Sequence, residues 1–174
     1  MMMVFVCVGF SACGNDDDDN GKPRANPFGE GDITCPDAKH PHWINLGLPS
    51  GTQWRCCNDG ASTPEDYGNY NQFGKTASAP SLDQIEELCN NTTSVWTTQN
   101  GVNGRKYTGS NGGTIFLPAG GYGLDRNGKG SRGYYWSSTP DEGNWACCFV
   151  FSASSSKDKG IYSRYGDLPV RPVR

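Results

Sequence analysis

Apolar and polar positions follow three different rhythms along the chain. The first thirteen residues, "MMMVFVCVGFSAC", are almost unbroken apolar, and "GNDDDDN" follows them at once. From Ser81 the spacing is helical: Leu82, Ile85, Leu88 and Cys89 share one face. Ser81 and Gln84 fit a capping box at its start, Asp83, Glu86 and Glu87 take the wet side, and Asn90-Asn91 marks its end. Elsewhere the runs are short and strand-like. "HWINLGLPSGTQWRCCNDGA" reads as a strand, a Pro-Ser-Gly turn and a second strand at Trp54–Cys57. "SVWTTQ", "RKYTG" and "TIFLPA" are set off by Asn-Gly steps at 100–101, 103–104 and 111–112, which predicts a meander of short hairpins. "YYWSST", "WACCFVF", "KGIYSRY" and "LPVRPV" read as closing strands, with Phe149 and Phe151 at a two-residue period that points both inward. The stretch "STPEDYGNYNQFGK" reads as a loop that packs Tyr67, Tyr70 and Phe73 onto the core, and "GLDRNGKGSRG" as a Gly-rich turn.

Composition explains how so few aliphatic residues can close a core. Of 174 residues, 34% are hydrophobic, but there are 5 Trp, 8 Tyr and 7 Phe. Aromatic side chains bury large areas and keep a polar edge for half-wet positions. With 24 glycines and one strongly helical stretch, the chain predicts a loop-rich domain of short strands, turns and large aromatic anchors. A net charge of −3 without a basic stripe speaks against nucleic acid as a partner.

The amino terminus reads as a processing signal, because its apolar run is too short to span a bilayer. Phe10-Ser11-Ala12-Cys13 is similar to the lipobox of bacterial lipoproteins, in which the Cys is acylated after cleavage. Phe10 in place of Leu and the lack of a Lys/Arg region are departures, and the other readings are an ordinary signal peptide cleaved nearby or a buried strand. The expected organisation is a signal at 1–12, a lipidated Cys13 with an acidic tether over 13–32, and a domain over 33–174. The acidic run resembles the export tether of surface lipoproteins in Bacteroides-like bacteria, which implies an outer-membrane, surface-exposed location.

Of eight cysteines, Cys35, Cys56, Cys57, Cys89, Cys147 and Cys148 fall in the domain. An even number in an exported protein predicts disulfides, with connectivity left open. Adjacent cysteines on a strand point to opposite faces, so each of the two Cys-Cys pairs is expected to send one thiol inward and one outward. There is no CxxC step, so no metal site is expected. His40 and His42 in "KHPHW" sit at a spacing that puts both on one strand face, a possible metal pair, but they read as exposed linker histidines. The domain is expected to fold without metal and to need no cofactor. No nucleophile with its base and no acid pair can be assembled, so the chain is not read as an enzyme. "LDRNGKG" lacks the later acidic ligands of a calcium loop.

Taken together, "GLPSGTQWRCCNDGASTPEDYGNY", "APSLDQIEELCN", "WTTQNGVNGRKYTGSNGGTIFLPAGGYG", "GYYWSSTP" and "VRPVR" resemble the Fibrobacter-succinogenes-type major paralogous domain, from about Ile44 to Arg174. That family belongs to the formylglycine-generating-enzyme-like branch of C-type lectin folds. The resemblance implies an α+β fold with few helices, a small twisted antiparallel sheet, termini brought together, and ligand binding on a face made by the carboxyl-terminal strands. The same branch holds enzymes with a copper-binding cysteine pair, but Cys147 and Cys148 do not map onto it. The EPN-like, QPD-like and WND-like steps of calcium-dependent sugar binding are missing from this sequence too.

The branch also contains the variable proteins of diversity-generating retroelements, whose last segment is rewritten by adenine-directed mutagenesis. Every residue from Ala146 to Ser156 belongs to the set such mutagenesis of an Asn codon can reach. The bland reading is a surface loop after a disulfide-bearing strand. The resemblance and the local contrast together predict a ligand face of Tyr134, Tyr135, Trp145, Cys147, Cys148, Ser152, Ser154, Ser155, Ser156, Tyr162, Ser163, Tyr165, Gly166 and Leu168. Phe149, Phe151, Val170 and Val173 should lie buried beneath it, and Trp136 is expected in the core. The expected function is that of a monomeric, lipid-anchored surface protein that binds an external protein or glycan. The alternative is a structural or fimbria-associated subunit, and an oxidoreductase or sulfatase-modifying relative is the third reading.

Overall fold

Three antiparallel sheets, each built from strands consecutive in sequence, pack with one helix. The computed structural model describes Cys35 and residues 39–174. The signal at 1–12, Cys13 and the tether over 13–32 lie outside the described residues. No helix among the described residues is long and apolar enough to cross a membrane. The first sheet pairs β1 (Trp43–Asn45) with β2 (Gln53–Arg55). The second runs β3 (Thr92–Gln99), β4 (Val102–Gly109) and β5 (Thr114–Pro118), and the third runs β6 (Arg132–Pro140), β7 (Trp145–Ser152) and β8 (Asp158–Ser163). The architecture is α+β with a single short helix among the described residues, but the β structure is divided among three sheets where one was expected.

Helix α1 (Leu82–Asn91) forms where the capping signal places it. The Gln84 amide donates to Ser81 Oγ at 3.2 Å, and the Ser81 amide donates to Gln84 Oε1 at 2.9 Å. Ile85 and Leu88 are buried, and the chain passes from Asn91 directly into β3. The Asn100-Gly101 step makes the β3–β4 turn, with φ of 47° and 80°. Residues 110–113 make the next turn. Asn103-Gly104, expected as a turn, lies inside β4. Gly104 is there for close approach: a Cβ would come within 2.4 Å of the Leu117 carbonyl and 2.5 Å of the Phe116 ring.

Strand β7 is buried on both faces. Tyr135 of β6 stands opposite Phe149, and both join the main core with Phe151, Ile85, Leu88, Trp54 and Ile44. Trp136 stands opposite Cys148, and both join a second cluster with Ala146, Leu168 and Val170 on the other side of the sheet. The expected burial of Phe149, Phe151, Val170, Val173 and Trp136 is observed. Phe151 lies across Gly133, where a Cβ would sit 2.1 Å from its ring.

The segment 168–174 ties the sheets together. Leu168 bridges Asn71, the Asp59 amide donates to the Val170 carbonyl, the Arg55 amide donates to Pro172, and Gln53 and Arg174 exchange backbone bonds. Strand β2 is therefore paired on one side by β1 and on the other by the last residues. Arg171 is fully buried within this seam. Its Nε donates to Asn58 Oδ1 at 2.9 Å and its terminal nitrogens donate to the carbonyls of Arg55, Cys56 and Phe116. Five fixed donors on a planar group suit this role, because buried carbonyls need a donor once water is gone.

Candidate functional site

The strands at the end of the third sheet bring an aromatic cluster to the surface. Tyr122 meets Tyr134 edge-to-face at 4.9 Å between ring centroids and Tyr162 at 5.7 Å. All three rings are half-buried. The Gly123 amide donates to the Asp167 carbonyl, which brings the loop after Tyr122 against the turn after β8. Large side chains on the neighbouring segments stay in solvent: Leu124 is 75% exposed, Tyr165 67%, Ile161 55% and Trp145 49%. Trp145 and Ile161 leave the hairpin on the face opposite to Ala146 and its partner Tyr162. Trp145 and Tyr165 are held near each other by one turn. The Arg164 amide donates to the Asn144 carbonyl, Arg164 Nε donates to the Trp145 carbonyl, and Tyr165 Oη lies 3.4 Å from Asn144 Oδ1. Exposed aromatic and aliphatic groups collected at one end of a domain are informative in a way that scattered ones are not.

The expected single ligand face is divided by this geometry. Because β7 pairs antiparallel with β8, with Trp145 opposite Ser163 and Val150 opposite Asp158, Trp145 and Ser152 are at opposite ends of the hairpin. Seven steps of about 3.3 Å along the eight-residue strand put those ends roughly 23 Å apart. Trp145, Tyr162, Ser163, Tyr165 and Gly166 belong to the aromatic end. Ser152, Ser154, Ser155 and Ser156 form the other end, beside β4 and α1: Tyr107 Oη donates to the Ser156 carbonyl at 3.0 Å and Lys157 Nζ to Asn90 Oδ1 at 2.9 Å. Ser154 is exposed and the other three serines are half-buried, so that loop is a surface, but a separate one.

Four residues expected on the face are interior. Tyr135 is buried and donates to the Pro118 carbonyl at 2.9 Å. Cys147, Cys148 and Leu168 are also buried. The two cysteines do point to opposite faces, as alternation requires, but both faces of β7 are covered, so neither thiol reaches solvent. Burial pushes the Cys148 thiol up to about 12. Tyr122 and Leu124 were not expected in the site. The one trace of them in the sequence is an apolar residue in a Gly-rich loop, where solvation would favour a polar one.

A second constellation lies where β1 begins. Cys35, His40, His42 and Cys56 present four potential metal-ligand atoms that all lie within 4.8 Å of one another. Cys35 Sγ is 3.0 Å from His40 Nδ1 and 3.3 Å from His42 Nδ1, and Cys56 Sγ is 3.5 Å and 3.9 Å from the same two atoms. The histidines are thus half-buried partners of cysteines, not exposed linker residues. Cys56 reaches them because β1 pairs with β2, with the Cys56 amide donating to the His42 carbonyl at 2.9 Å. A hydrogen bond from the Cys57 thiol, at 3.4 Å, holds Cys56 below the usual thiol range against the opposing effect of burial. The backbone amide of His42, at 3.0 Å, acts in the same direction. The same thiol–thiol bond and burial push Cys57 up.

Among the described residues no two cysteines are bridged, and Cys56, Cys57, Cys89, Cys147 and Cys148 are thiols. A cavity of about 240 Å³ lies between α1 and the β7–β8 hairpin, floored by Ile85, Leu82 and Phe149 and rimmed by Glu86, Lys157 and Lys159. It is smaller than the usual range for a small-molecule site, about 300–1,000 Å³. Compared with protein-family models, with curated proteins and with solved structures, the chain matches none.

Proposed function

We propose that the chain is a binding domain without chemistry of its own, of the C-type-lectin-like, formylglycine-generating-enzyme type, carried on the outer membrane by a lipid at Cys13 and an acidic tether. It engages an external protein or glycan through the aromatic end of the third sheet. The observation that carries this reading is the exposure of Leu124, Trp145 and Tyr165 on segments that meet at the Trp145–Ser163 end of the third sheet. Aromatic anchors supply large contact area at low entropic cost, which suits both a sugar ring and a protein surface. The Ser152–Ser156 loop is the segment on which diversification would act with least cost to the fold. Assembly into a fimbria by strand addition is the weaker reading, because β8 lies at its sheet's edge with Asp158 and Lys159 exposed on it, and charges on an edge discourage pairing.

The test uses the purified full chain on an array of defined glycans and, separately, on an array of extracellular protein ectodomains. The expected result is binding on one of the two that falls at least about tenfold in Trp145→Ala/Tyr165→Ala, a loss typical of hot-spot truncation. Binding that survives the double change would remove this face, and two blank arrays would remove the binding function. For the anchor, a fatty-acid probe should label the wild type and not Cys13→Ser; equal labelling would refute acylation there.

A further inference from the structure

We propose that Cys35, His40, His42 and Cys56 form a structural Zn²⁺ site that clamps the start of the domain onto β2. This inference stands apart from the binding function and would survive its failure.

The sulfur–nitrogen separations are those a tetrahedral zinc site requires. Zinc–sulfur bonds of about 2.3 Å and zinc–nitrogen bonds of about 2.05 Å, at tetrahedral angles, put sulfur and nitrogen roughly 3.5 Å apart along each edge. The four sulfur–nitrogen separations here are 3.0, 3.3, 3.5 and 3.9 Å. Both histidines offer the same atom, Nδ1, to the same side. Two sulfurs and two imidazole nitrogens in this arrangement select zinc over calcium or magnesium, which require oxygen. Four protein ligands leave no position for water or substrate, so the site is structural and not catalytic.

Charge agrees with placement. Two thiolates and two neutral imidazoles around Zn²⁺ make a neutral unit, which a half-buried position accepts without an unpaired charge. Binding releases the thiol protons to solvent. The His42 amide donates to Cys56 Sγ at 3.0 Å, the kind of outer hydrogen bond that orients a metal-bound thiolate. The site also has a mechanical logic. Cys35 lies just after the tether, whereas Cys56 directly follows β2, the strand that the last residues of the chain also pair with. A shared ion would fix the point where the tether meets the domain.

The test is Co²⁺ titration of the reduced full chain, followed by competition with Zn²⁺. Expected are one Co²⁺ per chain, with the visible bands of tetrahedral cobalt and a thiolate-to-metal charge-transfer band, displaced by Zn²⁺. Cys35→Ser and His40→Ala/His42→Ala should each weaken uptake by at least about tenfold, given that loss of outer-shell partners alone costs about that much. Cys89→Ser, remote from the site, should bind as the wild type does. Because a ligand variant could fold poorly, the wild type is also melted with and without chelator, and a lower melting temperature in chelator is expected. The proposal is overturned if the reduced wild type takes up no cobalt, if Cys35→Ser binds normally, if Cys89→Ser loses binding equally, or if protein from its own membrane carries a Cys35–Cys56 disulfide.

Discussion

Replacing Arg171 with Met tests whether the seam between the sheets depends on one guanidinium. Met fills much of the same space and keeps the apolar stem, so the change isolates the head group. Its loss leaves the carbonyls of Arg55, Cys56 and Phe116 and the Asn58 side-chain oxygen without their donor. A hydrogen bond to a charged group is worth about 1.5–3 kcal/mol net, so four of them amount to roughly 6–12 kcal/mol before the cost of burying the cation. Relief from burying the cation offsets part of this, since burial alone already lowers the Arg171 pKa. The expected loss is about 4 kcal/mol, or roughly 15 °C in Tm for a domain of this size. Arg171→Lys keeps the charge but loses the planar fork, and should fall between the two. Urea denaturation and calorimetry of the three proteins measure the difference. An Arg171→Met variant that melts within about 3 °C of the wild type would show that the four acceptors find other partners and that the seam does not depend on this residue.

Two further outcomes follow from burial. Ser154→Tyr should change stability by no more than about 0.5 kcal/mol, whereas Gly166→Ala should cost about 1–3 kcal/mol, because its Cβ would lie 2.2 Å from the Tyr162 ring; thermal melts of both variants check the contrast. Burial raises Tyr135 from 10.0 to about 12 and also raises Tyr70 and Tyr107. The folded state therefore holds these protons more tightly than the unfolded chain; the stability from Tyr135 is full below pH 10 and lost as pH rises through about 12, and that from the more strongly raised Tyr70 and Tyr107 is lost at still higher pH. Absorbance of tyrosinate followed alongside circular dichroism should show ionisation of these rings coinciding with unfolding, and their ionisation near pH 10 in a folded protein would contradict it.

What could be read from the sequence was what is decided locally. The capping box of Ser81 and Gln84 and the Asn100-Gly101 turn each depend on residues three or fewer apart, and both form as expected. The Asn103-Gly104 step misled because a glycine chosen for ring packing looks the same as one chosen for a turn. Cys147 and Cys148 misled because alternation along a strand tells which face a side chain takes, not whether that face is covered. The proximity of Trp145 and Ser154 in sequence suggested one surface, but an extended strand carries them to opposite ends of the sheet. The Cys/His constellation was invisible to a search for closely spaced ligands because its fourth member, Cys56, arrives through the pairing of β1 with β2.

The consecutive strand order has a consequence for the sequence of events by which the chain assembles. The ladders of β3–β4–β5 and β6–β7–β8 close over short loops, so their entropic cost is small and they can form early. The bonds of residues 168–174 instead reach back to Asn71, Asp59, Arg55 and Gln53, across most of the domain. Docking of this segment is thus expected to be the late, slow step, with two finished meanders waiting for it. Pulsed hydrogen exchange should find amides of β4 and β7 protected before those of Gln53, Arg55 and Asp59, and the reverse order would mean that the long-range seam nucleates the fold.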